Sequence, residues 1–180
     1  MKTKNVKIFS FALIALLIYA CAGVKVVHTE KKEGFSLTHY KTYGFYKTDI
    51  DTTVLPEYNK RIDWIKNELR RRLNQKGLAE GTDPDLLINI GIVIEEKIQT
   101  RETDFRTDAP RYMGTRNYSW KSEEVEVGRY HEGTVSIDFV SAANKALVWQ
   151  GVVQSVIAKS DKTSLKNIAA GGELLFKNID

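Results

Sequence analysis

Leu86, Ile88, Ile90, Ile92 and Ile94 occupy alternate positions in the middle of the chain, with Asn89, Gly91 and Glu95 set between or beside them. Successive side chains of an extended chain point to opposite faces, so the apolar set lines one face of a strand and the polar set the other. Such alternation marks a sheet covered on one side, the habit of antiparallel sheets; a doubly covered parallel sheet would be apolar throughout. Residues 134–139 alternate in the same way, and residues 146–153 follow across the short turn at 141–145, which predicts a hairpin. Residues 24–28 predict a first short strand, and 42–46, rich in aromatics, a second. The charged stretch 29–36 between them holds Gly34 and reads as a turn or loop.

Two stretches carry the other period. From Pro56, whose missing N–H costs nothing in a first helical turn, Tyr58, Ile62, Ile65, Leu69 and Leu73 recur at steps of three and four. They form one apolar stripe, and Gly77 is placed to end the helix. Its other face carries Arg61, Lys66, Arg70, Arg71 and Arg72. Two readings are open for Arg70-Arg71-Arg72: an anion or phospholipid site, or a solvated face whose cations sit near the negative end of the helix dipole. A last helix is expected after Asp161 as N-cap, with Leu165, Ile168, Gly172, Leu175 and Ile179 on one face. Gly171-Gly172 in mid-helix costs about 2 kcal/mol against two alanines. Close approach to the sheet through Gly172 would offset this, and a break in the helix is the competing reading. Together these elements predict an α+β fold: an antiparallel sheet of about five strands with two helices packed on one face.

The amino-terminal end follows neither period. Lys2, Lys4 and Lys7 precede an apolar run from Ile8 to Ala20, broken by Ser10, and then comes Cys21. The run is shorter than the ~20 residues a membrane-spanning helix needs and suits a signal peptide. Ile18-Tyr19-Ala20-Cys21 resembles the lipobox of bacterial lipoproteins, with Tyr19 bulkier than the usual residue. The resemblance implies lipid transfer to the Cys21 sulfur, cleavage after Ala20 and acylation of the new amino terminus. Residues 1–20 are then a lipoprotein signal peptide and 21–180 a single domain. Cys21 is the one cysteine of the chain, and a lone thiol in an oxidising compartment has no intramolecular partner. Multiple acyl chains anchor a protein stably, whereas one holds it marginally. Ala22 stands where the enterobacterial sorting rule has Asp for inner-membrane retention, so an outer-membrane address in the cell envelope is expected.

Charge changes the picture once the leader is set aside. The whole chain has 27 basic and 23 acidic residues; removing the leader's three lysines leaves 24 against 23, a net charge of +1. A nucleic-acid partner would call for a larger basic excess. The available histidines are His28, His39 and His131, and no GxSxG, HExxH, paired-cysteine or glycine-rich phosphate motif is present. No catalytic residue, metal or cofactor is therefore expected. His131-Glu132 reads as a loop or edge-strand pair, and Asp83 and Asp85 around Pro84 as turn chemistry before a strand.

Residues 99–129 hold Arg101, Arg106, Arg111, Arg116 and Arg129 among Phe105, Tyr112, Tyr118 and Trp120, with six acidic residues interspersed. The stretch reads as a long loop or hairpin extension. Arginine and aromatic side chains are common interface anchors, which makes Arg111, Tyr112, Arg116, Tyr118 and Trp120 candidates for binding an envelope protein or glycan.

A family resemblance runs through nearly the whole body. Its pieces are Phe35-Ser36 leading to Tyr40-Lys41-Thr42-Tyr43-Gly44-Phe45, Leu69 with Lys76-Gly77-Leu78, and Asp83-Pro84-Asp85-Leu86-Leu87-Ile88. Tyr130 to Asp138 and Trp149-Gln150-Gly151 complete it. In order and spacing these resemble the DUF4136 family of bacterial lipoproteins; Ser141 departs from the family's frequent Asp, and the last helix lacks its closing proline. The resemblance implies fold and location and adds no activity. Two functions are expected: a non-catalytic binding or scaffold domain held to the membrane through lipid on Cys21, or an envelope hydrolase with an unfamiliar constellation.

Overall fold

The computed structural model describes residues 23–46, 56–108, 121–177 and 179. Its strands are β1 (Val24–Lys31), β2 (Thr42–Phe45), β3 (Ala79–Glu80), β4 (Leu86–Glu102), β5 (Glu124–Ser141) and β6 (Leu147–Val156). Its helices are α1 (Pro56–Gln75), the single turn α2 (Phe105–Asp108) and α3 (Asp161–Phe176). The strands form one sheet in the order β1-β6-β5-β4-β2-β3. Among the described residues, no helix is long and apolar enough to cross a membrane.

The expected antiparallel sheet of about five strands is corrected by two features. β1, β6, β5 and β4 pair antiparallel, but β2 runs parallel to both β4 and β3, so the six-stranded sheet is mixed. The chain leaves β2, crosses through α1 and re-enters the sheet in the same direction, the connection that parallel strands require. The alternation in β4 reports cover on one face; it is blind to the direction of the neighbouring strand. The sixth strand, β3, has two residues, too few to show a period.

Helices α1 and α3 do pack side by side on one face. On that face the paired rows run Ile88–Phe139–Trp149, Ile90–Ile137–Gly151, Ile92–Val135–Val153 and Ile94–Gly133–Ser155. The first rows build the core, where Phe139 is fully buried and its ring centroid lies 4.8 Å from that of the tilted Trp149 ring and 6.3 Å from that of Phe176 of α3, which it meets edge to face. Tyr43 of β2 is buried against α1, and its hydroxyl donates to Asn74 Oδ1 at 3.1 Å. The other face of the sheet is polar: Gln150 Nε2 and Asn89 Nδ2 donate to the two oxygens of Asp138 at 2.7 and 3.3 Å.

Asp85 fastens β2 to the start of β4. Its Oδ2 accepts from the backbone N–H groups of Lys41 and Thr42 at 3.0 and 3.2 Å, and these bonds hold the carboxyl below its ordinary value. Gly77, at φ +90°, ends α1 in the left-handed region, where a Cβ would be strained. Ser160, not the expected Asp161, caps α3 by accepting from Thr163 N at 3.2 Å.

The glycine pair of α3 is resolved as close approach, without a helix break, and the two glycines serve different neighbours. A Cβ on Gly171 would lie 3.2 Å from Val153 Cγ1 of the sheet, whereas one on Gly172 would lie 2.8 Å from Glu68 Cγ of α1. Gly171 thus faces the sheet and Gly172 the neighbouring helix, which corrects the expectation that Gly172 meets the sheet.

Strands β4 and β5 are much longer than the sequence period shows. At ~3.3 Å per residue β4 spans roughly 55 Å, while α1 at 1.5 Å per residue spans about 30 Å. Beyond Ile94 and Gly133 the two strands continue as a paired arm to Glu102 and Glu124, with one register shift between Gln99 and Thr100. Stretch 99–129 is in its described parts this hairpin extension.

Candidate functional site

The rows on the covered face taper. Large rings fill the end marked by Phe139 and Trp149, and Gly133 and Ser155 stand at the other. α3 tapers the same way, from Leu175 and Phe176 back to Gly171, Ile168 and Ser164. Small residues on sheet and helix therefore face each other, and the layers cannot close. A recess of about 150 Å³ remains between α1, α3 and the sheet. Ile62, Ile65, Ile92, Val135, Val153 and Ile168 supply most of its wall. Its rim holds Tyr58, Arg61, Val156 and Ile157, of which Val156 is 44% exposed.

Two ionisable side chains with charge at neutral pH line this recess, Arg61 and Glu68. Glu68 is committed elsewhere. It accepts from Arg71 Nε and Nη2 at 2.8 and 2.6 Å and from Arg72 Nε at 2.7 Å. Burial pushes its carboxyl up, but the hydrogen bonds and charges of both arginines outweigh this and hold it below its ordinary value. Arg61 is different. Its Nη2 donates to the Ala158 carbonyl at 2.8 Å and its guanidinium lies 5.3 Å from the Tyr58 ring, with no carboxylate partner among the described residues. Ser164 Oγ lies 3.5 Å from the same carbonyl, and Asn167 Nδ2 donates to Ser155 Oγ at 3.3 Å, so the remaining polar groups gather on the α3 side.

The arginine cluster on α1 is neither an open anion site nor a simply solvated face. Arg70 makes a two-pronged pair with Glu80, at 2.9 and 3.3 Å, and lies over Phe45 at 5.1 Å. Arg72 is only 18% exposed and reaches across to the Ala169 carbonyl of α3 at 3.3 Å. Glu68, on α1 itself, takes Arg71 and Arg72; the contacts of Arg70 with Glu80 and of Arg72 with the Ala169 carbonyl and, at 3.9 Å, with Glu173 tie α1 to its neighbours. Arg61, which the helical period assigns to the same face, turns to the rim of the recess instead.

The residue-27-to-178 stretch matches the family model described as a domain of unknown function, DUF4136. The chain belongs to the DUF4136 family. No curated protein matches it. Among solved structures it is similar to a PDZ domain protein from Parabacteroides distasonis ATCC 8503, at 14% identity and a TM-score of 0.50. That likeness covers 91% of this chain and 38% of the other, so the chain spans well under half of that protein. It is also similar to PelC dodecamers from Paraburkholderia phytofirmans, at 10% identity and a TM-score of 0.42, over 82% of this chain and 93% or 94% of theirs. At such identities the likeness concerns the fold alone.

Of the residues singled out in this DUF4136 chain, Cys21, Arg111, Tyr112, Arg116, Tyr118 and Trp120 lie outside the described residues. The described residues beside that segment are tightly tied. Thr103 N donates to the Glu123 carbonyl at 2.8 Å, and Arg101 Nη1 donates to Asp108 Oδ2 at 2.7 Å. The Arg101 guanidinium, with the Asp104 N–H and the Thr107 hydroxyl, holds the Asp108 carboxyl far below the carboxylate range. His28 on β1, His39 at the end of the short 3-10 turn Leu37–His39 and His131 on β5 are exposed and far apart in the fold, with His28 Nε2 3.6 Å from Glu30. None of them lines the recess. Among the described residues, no group of three His, Cys, Asp or Glu side chains is placed to hold a metal ion.

The recess itself was not visible in one dimension. Gly133, Ser155, Ser164 and Gly171 are ordinary small residues until register and helix packing set them opposite one another. The partial signal was the Gly171-Gly172 pair, whose cost demanded a packing reason.

Proposed function

We propose that this DUF4136 chain is a non-catalytic binding domain of the bacterial cell envelope, held to a membrane through lipid on Cys21, most simply the outer membrane. Its binding element is the recess between α1, α3 and the sheet. The observation that carries this reading is the makeup of that recess: aliphatic walls, one glutamate committed to two arginines, and a single cation at the rim. Concave apolar pockets with a few polar groups at one side are the usual form of small-molecule sites. Serine hydroxyls are present, but no histidine lines the recess to activate them. The resemblance of Ile18-Tyr19-Ala20-Cys21 to a lipobox supports the anchor.

The experiment has two arms. The full-length protein and its Cys21→Ser variant are expressed in the native bacterium with a clickable fatty acid, and membranes are floated. Only the wild type should take label and float. Labelling and flotation of Cys21→Ser at the wild-type level would refute the anchor. Native mass spectrometry of the full-length wild type should then show a co-purified apolar small molecule, lost in Ile168→Trp, which fills the recess. A wild type that carries no such mass, and takes up none when offered apolar compounds, would refute the binding role.

A further inference from the structure

We infer that the recess takes the tail of a single-chain anionic amphiphile, of the fatty-acid or lysophospholipid kind, with its head group held at the rim by Arg61. This rests on the reading of the recess as the binding element and goes further, to the chemistry of its occupant.

Size comes first. A volume of about 150 Å³ matches an engineered apolar cavity that stays dry and accepts a benzene-sized guest. That is room for a segment of one acyl chain and too little for two chains side by side. Wall chemistry comes next. Ile62, Ile65, Ile92, Val135, Val153 and Ile168 present no donor or acceptor, so a sugar or peptide entering there would lose its hydrogen bonds to water without replacement. A chain of methylenes loses nothing, and each one buried raises affinity about fourfold.

The rim then selects the head. Arg61 spends one N–H on the Ala158 carbonyl and has no carboxylate partner among the described residues, although every neighbouring arginine on α1 is paired. A guanidinium carries five N–H donors in a fixed fork that suits carboxylate and phosphate alike. Lys60, one residue earlier, is already engaged by Asp161 at 2.6 Å. The Tyr58 ring lies 5.3 Å from the Arg61 guanidinium, and both residues line the recess. The tail therefore has an apolar slot and the head a positive, partly uncommitted group beside it.

The test uses the full-length protein in nanodiscs of zwitterionic phosphatidylcholine. A diazirine-bearing palmitate is photo-crosslinked and the labelled peptides are mapped. Palmitate, palmitoyl lysophosphatidylglycerol and uncharged monopalmitin serve as competitors. Label is expected within residues 58–69 and 157–175. The anionic competitors should displace it about tenfold better than monopalmitin, the strength of one charge-assisted hydrogen-bonded contact. Arg61→Gln, which can still donate to the Ala158 carbonyl, should erase that preference while leaving label in the same peptides. Better displacement by palmitate identifies a carboxylate head, and better displacement by the lysophospholipid a phosphate; either supports the inference. Equal competition by monopalmitin, or no change in Arg61→Gln, overturns the head-group role while the recess remains a binding element. Absence of label from both peptides in the wild type overturns the tail site and the binding role with it. Flotation of Cys21→Ser reports separately on the anchor.

Discussion

Gly172→Ala places a methyl group at the crossing of α1 and α3, where its Cβ would lie 2.8 Å from both Cγ and Oε1 of Glu68. Real Cβ contacts are not that short, so Glu68 or the helix must move. An exposed glutamate would swing aside, and the substitution would then gain up to about 1 kcal/mol from helix propensity. Glu68 is not free to swing: its carboxylate is held by Arg71 and Arg72, and its side chain is 11% exposed. Overpacking of this kind costs about 1–3 kcal/mol, and disturbing a charge-assisted hydrogen bond adds to it. The net expectation is a loss of about 1–2 kcal/mol, or roughly 2–8 °C in Tm for a domain of this size. Thermal and urea unfolding of wild type, Gly172→Ala, Glu68→Ala and the double variant would measure it. In the Glu68→Ala background the clash is gone, so Gly172→Ala should be neutral or stabilising, and the two sites should couple by about 2 kcal/mol. A Gly172→Ala protein that melts above wild type would refute the pinned-glutamate argument, as would additivity in the cycle.

Gly151→Ala should cost about 1–3 kcal/mol, because its Cβ would run into the Trp149 ring and approach Leu175 Cδ2 to 2.7 Å; an unchanged unfolding midpoint would contradict the packing of α3 on β6. The Glu68 carboxyl is held below its ordinary value of 4.5, so its contribution is present at neutral pH and is lost as pH falls below that value. Glu68→Gln should flatten the acid limb of a stability-against-pH curve, and an acid limb identical to wild type would rule that contribution out. Asp85→Ala removes the acceptor for Lys41 N and Thr42 N, and hydrogen exchange at those two amides should quicken while exchange in the Ile90–Ile137 region stays slow. Unchanged exchange at Lys41 and Thr42 would show that β2 is held without it.

The periods of the sequence decided which segments are strands and helices. Alternation in 86–94 and steps of three and four from Tyr58 to Leu73 are local properties, and each places its apolar side chains on one side. Boundaries were less legible, because β4, β5 and β1 run on through charged residues once a partner strand supplies their hydrogen bonds. Strand direction was not legible either: the parallel placement of β2 depends on how α1 carries the chain back. The arginines of α1 read as a charge cluster in sequence, although Glu68 stands three and four residues before Arg71 and Arg72 and pairs with both; only the Arg70 partner Glu80 and the α3 carbonyl that Arg72 reaches come from elsewhere in the chain. The recess belongs wholly to the tertiary level. Gly133 and Ser155 carry no shared pattern with Ser164 and Gly171; the β5–β6 register and the lie of α3 bring these four together. Four small residues spread across three elements leave a gap only when packing makes them neighbours, and a one-dimensional period has no way to record that meeting.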